Sequence, residues 1–239
     1  TLALALGLLS LIGPSSSPAL AQGGWEIECV DCPHGFNQMS DRSLRLDASG
    51  YPHIAYGEEN LYYAWYDGAK WQIEVADDTP AGDHGVGVYA ALALDGAGNP
   101  HISYFAYYES SGFTYSEYRY AYKDASGWHV EKVDDANVMF GGETSIDLDS
   151  SGYPHIAYYA DHNYDIRRAY KDASGWHIDT VDNVGYLGAY VSLDLDGSDY
   201  PHISYYDSDN LNLKYAYEDG DGWHTEVADS TRGAGMYSS

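Results

Sequence analysis

One fourteen-residue pattern occurs four times in this chain, and it restricts the fold more than any other feature. It reads SLRLDASGYPHIAY at Ser43 to Tyr56, ALALDGAGNPHISY at Ala91 to Tyr104, SIDLDSSGYPHIAY at Ser145 to Tyr158 and SLDLDGSDYPHISY at Ser192 to Tyr205. A Tyr/Ala-rich stretch, an Asp/Gly/Ser turn and a tryptophan follow each copy. His53, His101, His155 and His202 recur at intervals of 48, 54 and 47 residues, and Trp71, Trp128, Trp176 and Trp223 at 57, 48 and 47. Periods of this size belong to solenoids, propellers and arrays.

Each unit reads as four strands. S-L-x-L-D alternates with period two and predicts an inner strand A. A D-x-x-G turn leads to P-H-I-A/S-Y, strand B, with proline at the first position, where its missing N–H does least harm. Strand C is expected at 62–66, 118–122, 168–170 and 214–217, and strand D at 71–75, 128–133, 176–181 and 223–227. Four short strands in ~40–50 residues match a propeller blade, whereas β-solenoids repeat at ~20–30 residues. The expected fold is therefore all-β: a β-propeller of four-stranded antiparallel blades at 43–78, 91–135, 145–182 and 192–229, with the start of a fifth at 230–239. Trp25 to Asp31 matches strand D at Trp71 to Asp77 but has no A, B or C strand of its own. Residues 22–42 are thus expected to supply an orphan N-terminal strand that closes the propeller, in a chain truncated at both ends from a parent of at least five blades.

An apolar run at 2–12, a Gly/Pro/Ser spacer at 13–18 and Ala19-Leu20-Ala21 read as a signal peptide over residues 1–21. The run is too short to span a bilayer, so no membrane insertion is expected after cleavage. The mature chain is expected outside the cell, at the cell surface or in the periplasm. There, Cys29 and Cys32, a Cys-x-x-Cys pair, read as a local disulfide. A zinc site lacks a nameable fourth ligand, and a redox motif lacks its βαβ context. The alignment puts Cys29 at the position of Val75 and predicts it buried. With 11 Lys plus Arg against 37 Asp plus Glu, the net charge of −26 repels phosphate backbones and excludes nucleic acid as a partner.

Residues repeated once per blade serve the blade. His53, His101, His155 and His202 are expected to lock the A–B hairpin by bonding Asp47, Asp95, Asp149 and Asp196, each six residues upstream. Trp71, Trp128, Trp176 and Trp223 read as wedges between blades, each with an indole donor to satisfy. No cofactor is expected. A structural Ca²⁺ is the alternative at Asp194-x-Asp196-x-x-Asp199 or Asp207-x-Asp209-Asn210, neither of which matches an EF-hand loop.

The C–D turn and its tryptophan, as in Asp172-Ala-Ser-Gly-Trp176, resemble a shortened Asp-box (BNR) repeat of the sialidase-like propellers. The D-x-x-G-x-P-H-I-x-Y segment is similar to repeats of secreted bacterial propellers in that superfamily. The resemblance covers Ser43 to Asp229 and implies a fold more than an activity.

Propeller ligands usually sit where the B–C loops and D–A connections meet. The B–C loops are expected at 57–60, 105–117, 159–165 and 206–210. From them come the candidate ligand-binding residues Glu58, Glu59, Tyr108, Glu109, Tyr159, Asp161, His162, Tyr206 and Asp207. The D–A connections add His84, Tyr89, Phe140, Tyr186 and Tyr190. Aromatic faces rimmed by carboxylates suit sugar rings, whose C–H faces stack while their hydroxyls hydrogen-bond. A sialidase would need an arginine cluster, and the six arginines do not recur at one blade position. A lyase would need a His/Tyr acid–base pair, which His162 and Tyr159 could form beside Arg167 or Arg168, but the net charge opposes an anionic polysaccharide. The expected function is a non-catalytic binding module for glycan or extracellular protein ligands. The alternatives are a propeller-type lyase or glycoside hydrolase, and a structural surface scaffold.

Overall fold

The computed structural model describes residues 19–20, 26–32, 40, 42–78, 85–110, 113–136, 142–160, 164–188 and 190–236. The chain divides into two compact units, Thr1–Pro33 and His34–Ser239. In the first, β1 (Ala19–Leu20) pairs antiparallel with β2 (Glu26–Ile27). Cys29 and Cys32 are joined as a disulfide. Both are exposed, which corrects the expected burial of Cys29. The physical reason is that Val75, its match on strand D, is itself 45% exposed on the outward side of the outermost strand.

The second unit holds four sheets of four strands, each strand antiparallel to its neighbour in chain order. Blade 1 is β3 (Leu44–Leu46), β4 (Pro52–Gly57), β5 (Leu61–Tyr66) and β6 (Trp71–Asp77). Blade 2 is β7 (Val86–Leu94), β8 (Pro100–Ser110), β9 (Phe113–Asp124) and β10 (Gly127–Asp135). Blade 3 is β11 (Thr144–Leu148), β12 (Pro154–Ala160), β13 (Asp165–Asp172) and β14 (Gly175–Asp182). Blade 4 is β15 (Ser192–Leu195), β16 (Pro201–Asp207), β17 (Asn212–Asp219) and β18 (Gly222–Asp229). The architecture is an all-β propeller of four-stranded antiparallel blades.

The turn carboxylates make the hairpins. Asp47 Oδ1 accepts from the amides of Ser49 and Tyr51, both at 2.8 Å, and Asp95, Asp149 and Asp196 repeat the arrangement. An aspartate side chain that mimics a backbone turn in this way favours a tight reversal. One reversal differs from expectation. Residues 105–117, read from sequence as a loop, are largely a continuation of β8 and β9, with Tyr107 opposite Ser116 and Tyr108 opposite Tyr115. The alternating aromatic and polar residues there fit a pleated ribbon as well as a loop.

The core lies between sheets, as radial layers. Leu61 and Ala76 of blade 1 pack with Leu92, Ile102 and Tyr104 of blade 2. Tyr118 and Val133 of blade 2 pack with Ile146, Ile156 and Tyr158 of blade 3, and Ile166 and Val181 of blade 3 with Leu193, Ile203 and Tyr205 of blade 4.

Polar residues repeat across the same joints. At the end of strand D, Asp77, Asp134 and Asp182 each accept a hydrogen bond from the next blade's Tyr104, Tyr158 and Tyr205 hydroxyl. Each also pairs with a cation of that blade, Arg119, Arg167 and Lys214 respectively. Three residues earlier on strand D, Glu74 accepts from Trp128 Nε1 (3.0 Å) and Lys123, and Glu131 from Trp176 Nε1 (2.8 Å) and Lys171. Among the wedge tryptophans, Trp128 and Trp176 thus bridge blades with their indole N–H satisfied. The histidines have a partner the sequence reading missed. Nδ1 of His53, His101 and His202 shares a hydrogen bond with the hydroxyl of Tyr63, Tyr120 and Tyr215 on strand C. The expected aspartates stand farther off, 3.7–3.9 Å from Nε2 in all four blades.

Candidate ligand site at the axial mouth

The innermost strands β3, β7, β11 and β15 run side by side around the axis, each entered from its D–A connection. Counting back two residues from the first residue of each repeat gives Asp41, Tyr89, Glu143 and Tyr190. Counting back one gives Arg42, Ala90, Thr144 and Val191. Asp41 lies outside the described residues; the others surround the place where the connections turn inward.

Tyr89 and Tyr190, equivalent in two blades, both hold left-handed backbone, with φ of 54° and 58°. That conformation is uncommon for a bulky side chain and costs about 1–3 kcal/mol. At Tyr89 it coincides with a register shift between Val88 and Ala91, a bulge that re-aims the side chain. Both tyrosines and Glu143 are half-buried. Burial pushes the Tyr89 hydroxyl up from its ordinary pKa, and the nearby Glu143 carboxylate adds to the shift.

Beneath them lies a buried polar layer. Arg42 Nη1 donates to Ser145 Oγ (3.1 Å) and Ser192 Oγ (2.5 Å), so a side chain of blade 1 reaches blades 3 and 4 across the axis. Ser145 Oγ also accepts from the Leu193 amide at 3.0 Å, and Thr144 Oγ1 donates to the Tyr89 carbonyl at 3.1 Å. Ser145 and Ser192, which open two of the repeats, are therefore part of the floor of the mouth. Tyr159 forms part of the wall. A Cβ on Gly142 would come within 3.0 Å of its Cβ, and one on Gly188 within 3.1 Å of its Cζ, so glycine at both positions makes room for the ring.

The sequence candidates divide. Tyr159 is at the mouth, and Tyr206 is buried beside it, edge-on to Tyr190 with ring centroids 6.3 Å apart. Asp207 is a turn-former: it accepts from the amides of Asp209 and Asn210 (3.1 Å each) and from Asn210 Nδ2 (2.9 Å). Tyr108 belongs to the extended hairpin of blade 2, donating to Glu117 (3.0 Å) and stacking on Tyr115. Glu58 and Glu59 are exposed on the B–C turn of blade 1. Glu109 falls within β8, and its side chain lies outside the description, as do Asp161, His162, His84 and Phe140. Tyr186 stacks on Tyr164 at 3.7 Å between centroids.

Sequence reasoning missed Arg42 and Glu143. The available signal was position: both immediately precede a repeat, in the same register as Ala90 and Tyr89. Four of the aspartates considered for calcium are engaged by protein donors: Asp196 and Asp207 by their own turns, Asp199 by Ser150 and Asp209 by the Tyr186 amide. Among the described residues, no group of three or more His, Cys, Asp or Glu gathers as a metal site.

No protein-family model matches the chain, and no curated protein does. Solved structures do. A Dyadobacter fermentans protein of unknown function matches with a TM-score of 0.52 at 9% identity, over 80% of this chain and 71% of that one. A family 117 glycoside hydrolase of Zobellia galactanivorans matches with a TM-score of 0.50 at 16% identity, over 84% and 75%. An exo-β-1,3-galactanase of Phanerochaete chrysosporium matches with a TM-score of 0.45 at 12% identity, over 90% and 53%. The likeness to the first two is one of fold alone.

Proposed function

We propose that this propeller is carbohydrate-active, that its glycan lies across the axial mouth, and that its chemistry is hydrolysis of a glycosidic bond. The observation that carries the reading is the pair of equivalent tyrosines, Tyr89 and Tyr190, held at positive φ, the first of them with Glu143 nearby. Strained backbone recurs where a side chain must be aimed at a ligand. Two half-buried phenol rings offer stacking faces, and the carboxylate near Tyr89 can accept hydrogen bonds from sugar hydroxyls.

Glycoside hydrolysis generally needs two carboxylates flanking the scissile bond, one as acid and one as base or nucleophile. Glu143 is one. Its counterpart in the repeat register, Asp41, lies outside the described residues. Binding without turnover, our reading from sequence alone, is the second possibility and calls for the same mouth without the acid–base role. The Asp-box-like C–D turns support a distant tie to sialidase-like propellers, and the leader-like residues 1–21 with the Cys29–Cys32 disulfide support action outside the cell.

The test is release of reducing ends from neutral galactans and uronate polysaccharides, beside a glycan array. Turnover should fall by about 10²–10⁴ in Glu143→Gln with glycan binding retained, the loss expected for one acid–base group. Array binding with no release by the unaltered protein would support capture without catalysis. Turnover lost with His162→Ala but kept in Glu143→Gln would favour the lyase alternative. Neither binding nor release would sink the proposal.

A further inference from the structure

We propose that the stacked pair Tyr164 and Tyr186 is an outer sugar subsite, which takes one ring of a neutral glycan chain whose other units lie in the axial mouth. This subsite rests on the carbohydrate reading above and gives the glycan a second contact, and with it a preference for longer chains. Tyr186 stands in the D–A connection that leads into blade 4, six residues before its repeat, and Gly85 stands at the same place before blade 2. The backbone is clamped alike in both. The Gly85 carbonyl accepts from the Tyr107 amide at 2.9 Å, and the Tyr186 carbonyl from the Ser208 amide at 3.0 Å.

The side chains differ. At blade 2 the ring belongs to Tyr107, and a Cβ on Gly85 would collide with it. At blade 4 the loop residue is Ser208, too small to cover the connection, and the ring belongs to Tyr186. That ring's residue is 49% exposed, and it stacks on Tyr164 with centroids 3.7 Å apart and planes inclined by 30°. Tyr164 is half-buried and enters strand C of blade 3 with φ of 60°. Leu211, its equivalent in blade 4, has a φ of 58°, so the turn belongs to the blade and the phenol ring is the addition. The tyrosines that serve the joints, Tyr104, Tyr158 and Tyr205, are fully buried, whereas this pair stacks at the surface.

The ring is also held in place. The Tyr186 amide donates to Asp209 Oδ2 at 2.8 Å, and Leu187 behind it is fully buried and paired antiparallel with Asp207. An aromatic side chain fixed before its ligand arrives loses little freedom on binding. The connection continues into the mouth: Gly188 packs against the Tyr159 ring, and Tyr190 stands two residues further on. Four residues of extended chain span at most ~14 Å, so Tyr186 and Tyr190 lie within the length of a short oligosaccharide. Phenol faces stack on the C–H faces of sugar rings. Asp207 and Asp209, beside this connection, disfavour a uronate and select a neutral sugar.

The experiment titrates a dimer and a hexamer cut from a neutral galactan against the unaltered chain and against Tyr186→Ala, Tyr186→Phe and Tyr164→Asn. The unaltered protein should hold the hexamer more tightly than the dimer. Tyr186→Ala should weaken hexamer binding by about two- to tenfold, the size of one aromatic contact, and leave dimer binding unchanged. Tyr186→Phe should keep the hexamer affinity. Tyr164→Asn, a change that left-handed backbone tolerates, should weaken the hexamer selectively as well, and it serves if Tyr186→Ala fails to fold. Equal loss for dimer and hexamer, or loss for neither, would overturn the subsite and leave the mouth reading standing. Binding of neither sugar by the unaltered protein would sink both.

Discussion

Arg168 stands where the other blades have Tyr63, Tyr120 and Tyr215, and His155 registers the difference. Its Nδ1 is buried without a hydrogen-bond partner, whereas its three counterparts share a bond with a phenol. Burial, then the charge of Arg168, lowers the His155 pKa from 6.5 to about 4. A histidine with a depressed pKa takes up its proton more readily in the unfolded chain. Its contribution is therefore complete above pH 6.5 and is lost as pH falls from there toward 4. The loss amounts to about 3 kcal/mol at the lower limit by linkage. His53 and His101 are lowered in the same direction by burial. Urea unfolding between pH 7 and 4.5 should show stability declining with acid, with a shallower slope in His155→Gln. Equal slopes would refute the assignment. A second residue-scale expectation concerns Asp182, whose side chain is 3% exposed and paired with Lys214. Lys214→Met should cost ~3–5 kcal/mol, because it leaves a buried carboxylate without its cation.

At the scale of elements, the joint between blades 3 and 4 is a charge-reversed version of the other two. In those joints a lysine of the later blade, Lys123 or Lys171, reaches back to a strand D glutamate. In the third, Arg168 of the earlier blade reaches forward to Glu218 at 2.6 Å and lies 5.2 Å from the Trp223 ring centroid. Tyr63 and Tyr120 instead meet their wedge tryptophans edge-on. Arg168→Tyr should therefore destabilise the protein, and adding Glu218→Lys should restore part of the loss. A double-mutant coupling of ~1–3 kcal/mol is the expected size for groups in contact; additive effects would show that the two positions are independent. The D–A connections give another element-scale expectation. Asn tolerates left-handed backbone better than Tyr, so Tyr190→Asn should change stability by no more than ~1 kcal/mol while abolishing glycan binding. A variant that binds normally would remove Tyr190 from the site.

For the whole molecule, the net charge of −26 acts on every blade at once. Like charges at this density oppose the compact state, and salt screens them over a Debye length of about 8–10 Å at physiological ionic strength. The thermal midpoint should rise from low salt to about 0.5 M NaCl, and a falling midpoint would mean that the interblade ion pairs outweigh the general repulsion. On the proposed function, the same charge opposes anionic ligands, so neutral glycans should be preferred to uronate polysaccharides on the array.

Much of this was readable without a structure. The blades, their four strands, the turn aspartates and the placing of tryptophans at joints follow from a pattern repeated every ~50 residues. Such periodicity records backbone pairing and burial, which each unit must satisfy in the same way. Two kinds of feature escaped it. The phenol partners of His53 and His101 lie on another strand, 10 and 19 residues away, a spacing that varies with the B–C connection. At the axial mouth, Tyr89 and Tyr190 were legible as D–A connection residues, whereas Arg42 and Glu143 escaped because each differs from its counterparts in the other blades. Sequence alone determined the unit and the rule by which one unit joins the next, since identical contacts demand identical residues. Only the tertiary structure decided which side chains share the axial mouth, because wrapping the inner strands around one axis brings dissimilar residues from different blades together.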